Sequence, residues 1–243
     1  MSSSNDGLEF ASSKPVGDGF ESDFEPALAT DGTQFFLAWR DRNGYLALAS
    51  STNGRDFGEP LVLNTTTRTA PALAYGDGML LLAWVDDGRR LHLWPAADAA
   101  SLQFLVEQRI DLDERSPGAP NLQYARKTWT LTWAGSDHKV NIQTYRGSIE
   151  AIPTKHTLAH RGAPITEYRP AIAVLDVWLL AWTRPDGRVG LLVSKSRQPG
   201  YINELALDVS SGAGVNLTPF QGDVLLTWAG DDEQPGGHVL RLP

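Results

Sequence analysis

A tryptophan returns five times along this chain, at positions 39, 84, 133, 182 and 228, with intervals of 45, 49, 49 and 46 residues. Each ends a short apolar segment, as in Phe36-Leu37-Ala38-Trp39 and Leu179-Leu180-Ala181-Trp182. Pro26, Pro71, Pro120, Pro170 and Val215 keep step with the tryptophans and open a shorter apolar segment just before each. Between the two segments stand turn residues such as Asp31-Gly32 and Asp77-Gly78. One such period cannot cover its own apolar faces and must stack on its neighbours. Several short strands per period, repeated at this length, are the pattern of a β-propeller.

The strands follow from alternating apolar runs and the turns between them. In the first period the expected strands are A, Pro26–Thr30; B, Gln34–Arg40; C, Tyr45–Ser50; and D, Phe57–Leu63. Later D strands are expected at Gln103–Leu112, Ile149–Leu158 and Tyr201–Asp208. The fifth period supplies Val215–Pro219, Val224–Ala229 and His238–Leu242, and then the chain stops. Residues Ser3–Val16 resemble Ser50–Val62, a D strand with no A, B or C before it. The expectation is therefore an all-β, five-bladed propeller of four-stranded antiparallel blades. Its ring closes by pairing Leu8–Val16 with the C-terminal strand, which removes the exposed edges. Residues 1–243 form one domain in this reading, with blades at about 24–64, 69–114, 117–162, 167–210 and 212–243 plus 3–16. No helix is needed.

Composition narrows the partners. The formal net charge is −8 and there is no Lys/Arg run, so neither nucleic acid nor an anionic membrane is an expected partner. The chain has no cysteine, which excludes disulfides, thiolate metal sites and a cysteine nucleophile. No apolar run approaches the ~20 residues of a spanning helix. Met1–Phe10 lacks the basic start and apolar stretch of a leader, so the expected setting is cytoplasmic or that of a mature secreted form. A monomer without cofactor is expected. His156 and His160 have a spacing that would hold a metal only on a helix, and their segment reads as strand end and loop. Asp86-Asp87 and Asp231-Asp232 read as turn formers.

Antiparallel pairing puts the start of A and the end of B at the same mouth of the ring. At those positions the first and fourth periods supply Glu25, Arg40, Asp41, Glu167, Tyr168, Arg169 and Arg184, which are the candidate ligand-binding residues. The third and fifth supply Gly and Ala, which would leave space for an asymmetric ligand. The same charges could instead form ordinary ion pairs, such as Glu25 with Arg40 or Arg169. The repeats share Pro, Ala, Leu, Trp and turn residues but no set of polar side chains, which favours one site over one per blade. A carbohydrate would suit it: Arg and carboxylate groups bond hydroxyls while Tyr168, Phe24 or Trp39 stacks on the sugar face. A glycosidase would need two of Glu25, Asp41, Asp86 and Glu167 at ~5–5.5 Å or ~6.5–9.5 Å. A protein-interaction scaffold or an engineered repeat propeller without a small ligand is the third reading. Trp94, Trp129 and Trp178 could stack on sugar if exposed, and core packing is expected for Trp129 and Trp178.

Two segments, Ser51-Thr52-Asn53-Gly54-Arg55-Asp56-Phe57 and Ser4-Asn5-Asp6-Gly7-Leu8-Glu9-Phe10, resemble shortened Asp-box turns of the sialidase-like BNR-repeat propellers. The strand pair FEPALATDGTQFFLAWR is similar to the same family. The resemblance implies a turn between C and D in which an amide or carboxylate caps the hairpin and the aromatic residue packs inside. Tyr168-Arg169-Pro170 resembles the family's Tyr-Arg-Ile-Pro with the Ile missing, which implies a glycosidase site around Glu167, Tyr168 and Arg169. The family's enzymes close with one blade more than this chain's five periods supply. The expectation is accordingly a non-catalytic, lectin-like module, with no catalytic residues assigned.

Overall fold

Each period folds into an antiparallel sheet whose strands lie in chain order. The computed structural model describes residues 14–17, 20–96, 99, 102–158, 166–194, 205–230 and 235–241. Blade one comprises β1 (Ala27–Thr30), β2 (Phe35–Arg40), β3 (Tyr45–Ser51) and β4 (Leu61–Thr66). Blade two comprises β5 (Ala72–Gly76), β6 (Met79–Val85), β7 (Arg90–Pro95) and β8 (Ile110–Arg115). Blade three comprises β9 (Asn121–Ala125), β10 (Thr128–Ala134), β11 (Val140–Arg146) and β12 (Thr154–Leu158). Blade four comprises β13 (Ala171–Val174), β14 (Trp178–Thr183), β15 (Arg188–Ser194) and β16 (Leu205–Ser210). Blade five has β17 (Val215–Phe220), β18 (Asp223–Ala229) and β19 (Pro235–Leu240) among the described residues. The innermost strands are neighbours in turn, β1 on β5, β5 on β9, β9 on β13 and β13 on β17. This is a five-bladed β-propeller.

The B strands are almost wholly apolar because both their faces are buried. Successive side chains of a strand point to opposite sides. Thus Leu80, Leu82 and Trp84 of β6 join Phe36, Ala38, Leu46 and Leu48 of blade one. Leu81, Ala83 and Val85, the alternate set, join Leu122, Leu131 and Trp133 of blade three. Val140 and Ile142 meet Ile172, Leu180 and Trp182 between blades three and four. Ala181 and Val189 meet Val215, Leu217 and Leu226 between blades four and five. At roughly 1.5–3 kcal/mol for each large apolar side chain removed from water, these layers are the main force holding the blades together.

The face of blade one that points away from blade two carries Leu37, Trp39, Ala47 and Ala49, and Val16, Phe20 and Phe57 cover it. Phe20 stacks on Trp39 with ring centroids 4.7 Å apart. The N-terminal segment therefore does reach the body of the ring. The expected pairing of Leu8–Val16 with the C-terminal strand falls mostly on residues outside those described.

Two details differ from the sequence reading. The outer strands of blades one to three begin later than expected, at Leu61, Ile110 and Thr154, and the expected start of the fourth at Tyr201 lies outside the described residues. In blades one to three the intervening residues are irregular or in turns, including a short 3-10 turn at Val106–Gln108, the one helical element among the described residues. The pairing of C with D also slips at one place in three blades, between Tyr45 and Ala47, Arg90 and His92, and Arg188 and Gly190. Such irregularities leave no periodic trace in a sequence. The last strand likewise starts at Pro235 rather than His238.

Candidate functional site

The mouth is built on a motif that the five periods do share. Ser22, Thr67, Ser116, Thr166 and Ser211 stand four residues before Pro26, Pro71, Pro120, Pro170 and Val215. Each hydroxyl donates to the carbonyl, and accepts from the N–H, of the residue two positions on: Phe24, Thr69, Gly118, Tyr168 and Ala213. This local turn replaces ladder bonds the chain lacks as it crosses between blades. The N–H groups of Thr67, Ser116, Thr166 and Ser211 then donate to the carbonyls of Gly44, Arg89, His138 and Gly187, at 2.8–3.0 Å. The expectation that no polar side chain recurs is thus corrected: a hydroxyl recurs in every period, and its task is structural. Serine alternates with threonine here, so identity at a single residue type hides the repeat.

The hydroxyl turns hold the two residues before each strand A at the mouth. In blade four these are Tyr168, which is 41% exposed, and the half-buried Arg169. In blade one they are Phe24, which is 39% exposed, and the exposed Glu25. Two of the small residues of blades three and five, Gly118 and Gly214, are packed rather than open, whereas Gly212 has nothing within 4 Å of an added Cβ. A Cβ on Gly118 would lie 2.9 Å from the Glu167 carbonyl oxygen, and one on Gly214 would lie 3.2 Å from Arg169 Cβ. Gly118 and Gly214 are small because blade four packs against them.

The seven candidate side chains divide by what already holds them. Arg40 Nε donates to the Thr67 carbonyl at 2.8 Å, and its guanidinium lies over the Phe24 ring at 5.1 Å from the centroid. Asp41 Oδ1 accepts from the Tyr45 N–H at 2.7 Å and shapes the turn between β2 and β3. Arg184 Nε lies 3.5 Å from Asp186 Oδ1 in the equivalent turn of blade four. Glu25 makes no ion pair among the described residues, so the expected pairing with Arg40 or Arg169 is not formed. Glu167 Oε1 lies 3.6 Å from His138 Nδ1, an ion-pair distance longer than a hydrogen bond.

Among the described residues, Arg169 Nε and His138 Nδ1 at this mouth are buried without a hydrogen-bond partner, as are the indole nitrogens of Trp39, Trp84, Trp129 and Trp133. Leaving a buried donor unpaired costs about 1–3 kcal/mol, more for a charged group. His138 escaped the sequence reading. Its signal was position: it ends the B–C turn of blade three with φ +60°, where blades one and four place Gly44 and Gly187. Arg169 and His138, with Tyr168 and Glu167 beside them, form a polar cluster on the blade-four side of the mouth.

Asp86, a possible glycosidase carboxylate, is committed elsewhere. Its Oδ1 accepts from the Arg90 N–H at 2.8 Å and its Oδ2 lies 3.1 Å from His92 Nε2. Partial burial opposes its charge, but the Arg90 N–H and the His92 ring outweigh this and hold the carboxyl below its ordinary range. Trp94 and Trp129 are core residues, and Trp94 Nε1 donates to the Leu105 carbonyl at 2.7 Å. Trp178 is only half-buried, and packs against the apolar layer between blades three and four.

No protein-family model matches the sequence, and no curated protein matches it either. Solved structures share the fold. A GH43 endo-arabinanase from Bacillus licheniformis is 14% identical with a TM-score of 0.58, covering 93% of this chain and 96% of its own. The BP39L lectin from Burkholderia pseudomallei is 14% identical with a TM-score of 0.69, covering 94% and 70%. A fucose-specific lectin from Aleuria aurantia is 9% identical with a TM-score of 0.55, covering 88% and 73%. Likeness at this identity concerns the fold alone, and one fold can carry unrelated sites.

Proposed function

We propose that this chain is a non-catalytic, lectin-like carbohydrate-binding propeller, with its site at the channel mouth on the blade-four side. The observation that carries this reading is that Arg169 Nε and His138 Nδ1 are buried without a hydrogen bond, beside the exposed ring of Tyr168. Sugar hydroxyls can serve these nitrogens, accepting from the Arg169 guanidinium and donating to or accepting from the His138 ring, while the Tyr168 ring covers an apolar sugar face. Glu167 supplies an acceptor on the same loop. Arg40, Asp41 and Arg184 frame the site through the bonds that fix their turns, and Glu25 stands at its rim. The lectins of similar fold lend this reading support. In the turn before β4, Asn53 Oδ1 accepts from the Arg55 and Asp56 N–H groups at 2.9 Å and Phe57 packs inward, which fits the structural role expected of that turn.

A glycoside hydrolase is the competing reading, favoured by the arabinanase of similar fold and by the exposed Glu167 next to Tyr168. It needs a second carboxylate: Asp41 and Asp86 are both bound into turns, which leaves the exposed Glu25 of blade one as the partner such an enzyme would have to use. A general acid also needs a raised pKa, and Asp86 is displaced the other way. The test is a glycan array probed with the intact protein, followed by titration of the hit. Arg169→Ala should abolish binding, by at least about tenfold for one lost charge-assisted bond. Unchanged affinity would sink the site, and turnover of an arabinan or sialoside would replace the lectin with an enzyme.

A further inference from the structure

The face opposite the mouth carries the A–B turns. In blades two and five the central residues of these turns are Asp77-Gly78 and Gln221-Gly222, each with positive φ at both positions. Glycine at the second position is the ordinary solution for such a turn. Blade three departs from it, placing Arg126 and Lys127 there at φ +52° and +58°. Two long cationic side chains are thus displayed in a backbone region that disfavours them, at a cost to stability that glycine would avoid.

These residues rim a cleft of about 490 Å³ between blades three and four. Arg126, Lys127, Arg146, Asp176 and the half-buried Trp178 line it, with the buried Thr130. Arg126 Nη2 pairs with Asp176 across the cleft. Lys127 and Arg146 have no carboxylate partner among the described residues, in a protein whose net charge is −8. The two blades are joined at its edge, where the Val174 N–H donates to Gln123 Oε1 at 3.0 Å. A local excess of cations, an aromatic wall and a volume within the ~300–1,000 Å³ of small-molecule sites occur together.

We infer that this cleft is a second binding site, for a carboxylated sugar such as a uronic or sialic acid residue. Lys127 and Arg146 take the carboxylate, the guanidinium as a two-pronged donor. Trp178 lies against the apolar face of the sugar ring, which a bare anion would not use. The site shares no residue with the channel mouth, so either can fail without the other.

The test is calorimetric titration of the intact protein with galacturonic acid, N-acetylneuraminic acid, their neutral counterparts and inorganic phosphate. Saturable binding of an acidic sugar, weakened by salt and absent for the neutral one, is expected. Lys127→Gly should weaken it at least tenfold while raising the melting temperature, because glycine accepts the +58° conformation. Arg146→Gln should weaken it similarly, and the higher melting temperature of the glycine variant guards against loss through unfolding. Three results would overturn the proposal. One is no saturable binding of any acidic sugar. Another is phosphate binding as tightly as the sugar, since Trp178 would then contribute nothing. The last is binding that survives Lys127→Gly but disappears in Arg169→Ala, which would move the acidic sugar to the mouth.

Discussion

His92 is the residue at which sequence proximity says least and the fold does most. Its ring stacks on Trp84 with centroids 4.9 Å apart. Nδ1 lies 2.7 Å from Asp111 Oδ1, and Nε2 lies 3.1 Å from Asp86 Oδ2. Burial opposes the charge of both carboxyls. For Asp86, the Arg90 N–H and the His92 ring outweigh it; for Asp111, His92 and then Arg109 do so. Both therefore sit below the ordinary carboxylate value of about 3.9. A carboxyl whose pKa is lowered by folding contributes stability that is present above its unfolded value and lost as pH falls through the folded one. The urea midpoint should fall as pH drops below about 4, and the fall should be shallower in Asp111→Asn. Equal slopes in the two proteins would show that the clasp does not contribute. Asp86 was visible in the sequence as a turn former, but nothing in the sequence joined it to Asp111, because their meeting depends on the pairing of β7 with β8.

Between elements, the recurring tryptophans impose a demand on the strand beside them. Trp39, Trp84, Trp133, Trp182 and Trp228 stand directly opposite Ala47, His92, Asn141, Gly190 and Gly236 on the C strands. In blades four and five the indole lies on the glycine itself: a Cβ on Gly190 would come within 2.7 Å of the Trp182 ring, and one on Gly236 within 2.2 Å of Trp228. Since neither glycine has positive φ, contact rather than backbone conformation requires it. Gly190→Ala should cost about 1–3 kcal/mol, the range for overpacking a filled core. A urea midpoint equal to that of the parent would show that the ring can move aside. The apolar run ending in Trp places every B strand to within one residue of its observed start. The sequence reading placed the D strands of blades one to three several residues early, because exposed outer strands lack such a run and their starts depend on the turns before them.

At the scale of the whole ring, each blade is a cover for the next, so the question is what covers the first. Val16, Phe20 and Phe57 lie over Leu37 and Trp39. Closure by the N-terminal strand extends this arrangement and is our expectation for residues Leu8–Val16. Removing residues 1–16 should then lower the melting temperature by at least about 5 °C, given roughly 2–4 °C per kcal/mol for a chain of this size. A truncated protein that melts with the parent would refute closure by this strand. The same logic explains why the mouth is uneven. Gly118 and Gly214 are pressed against blade four, so the polar cluster lies on one side of the ring.

What the sequence determined by itself is the architecture. Strand faces alternate with period two, turns carry Gly and Asp, and a fivefold recurrence of Pro and Trp leaves few arrangements other than stacked blades. These signals are local or periodic, and a linear string preserves them. Tyr168, Glu167 and Arg169 were also named from position alone, since antiparallel pairing fixes which loops share a mouth. Which of the seven candidates already had partners was decided only by tertiary structure, and so was the placing of His138 beside Glu167. Partnering across blades joins residues tens of positions apart, as Arg40 to Thr67 and Arg126 to Asp176. The cleft beside Trp178 exists only because two separate turns, one strained and one acidic, are brought face to face when blade three packs on blade four.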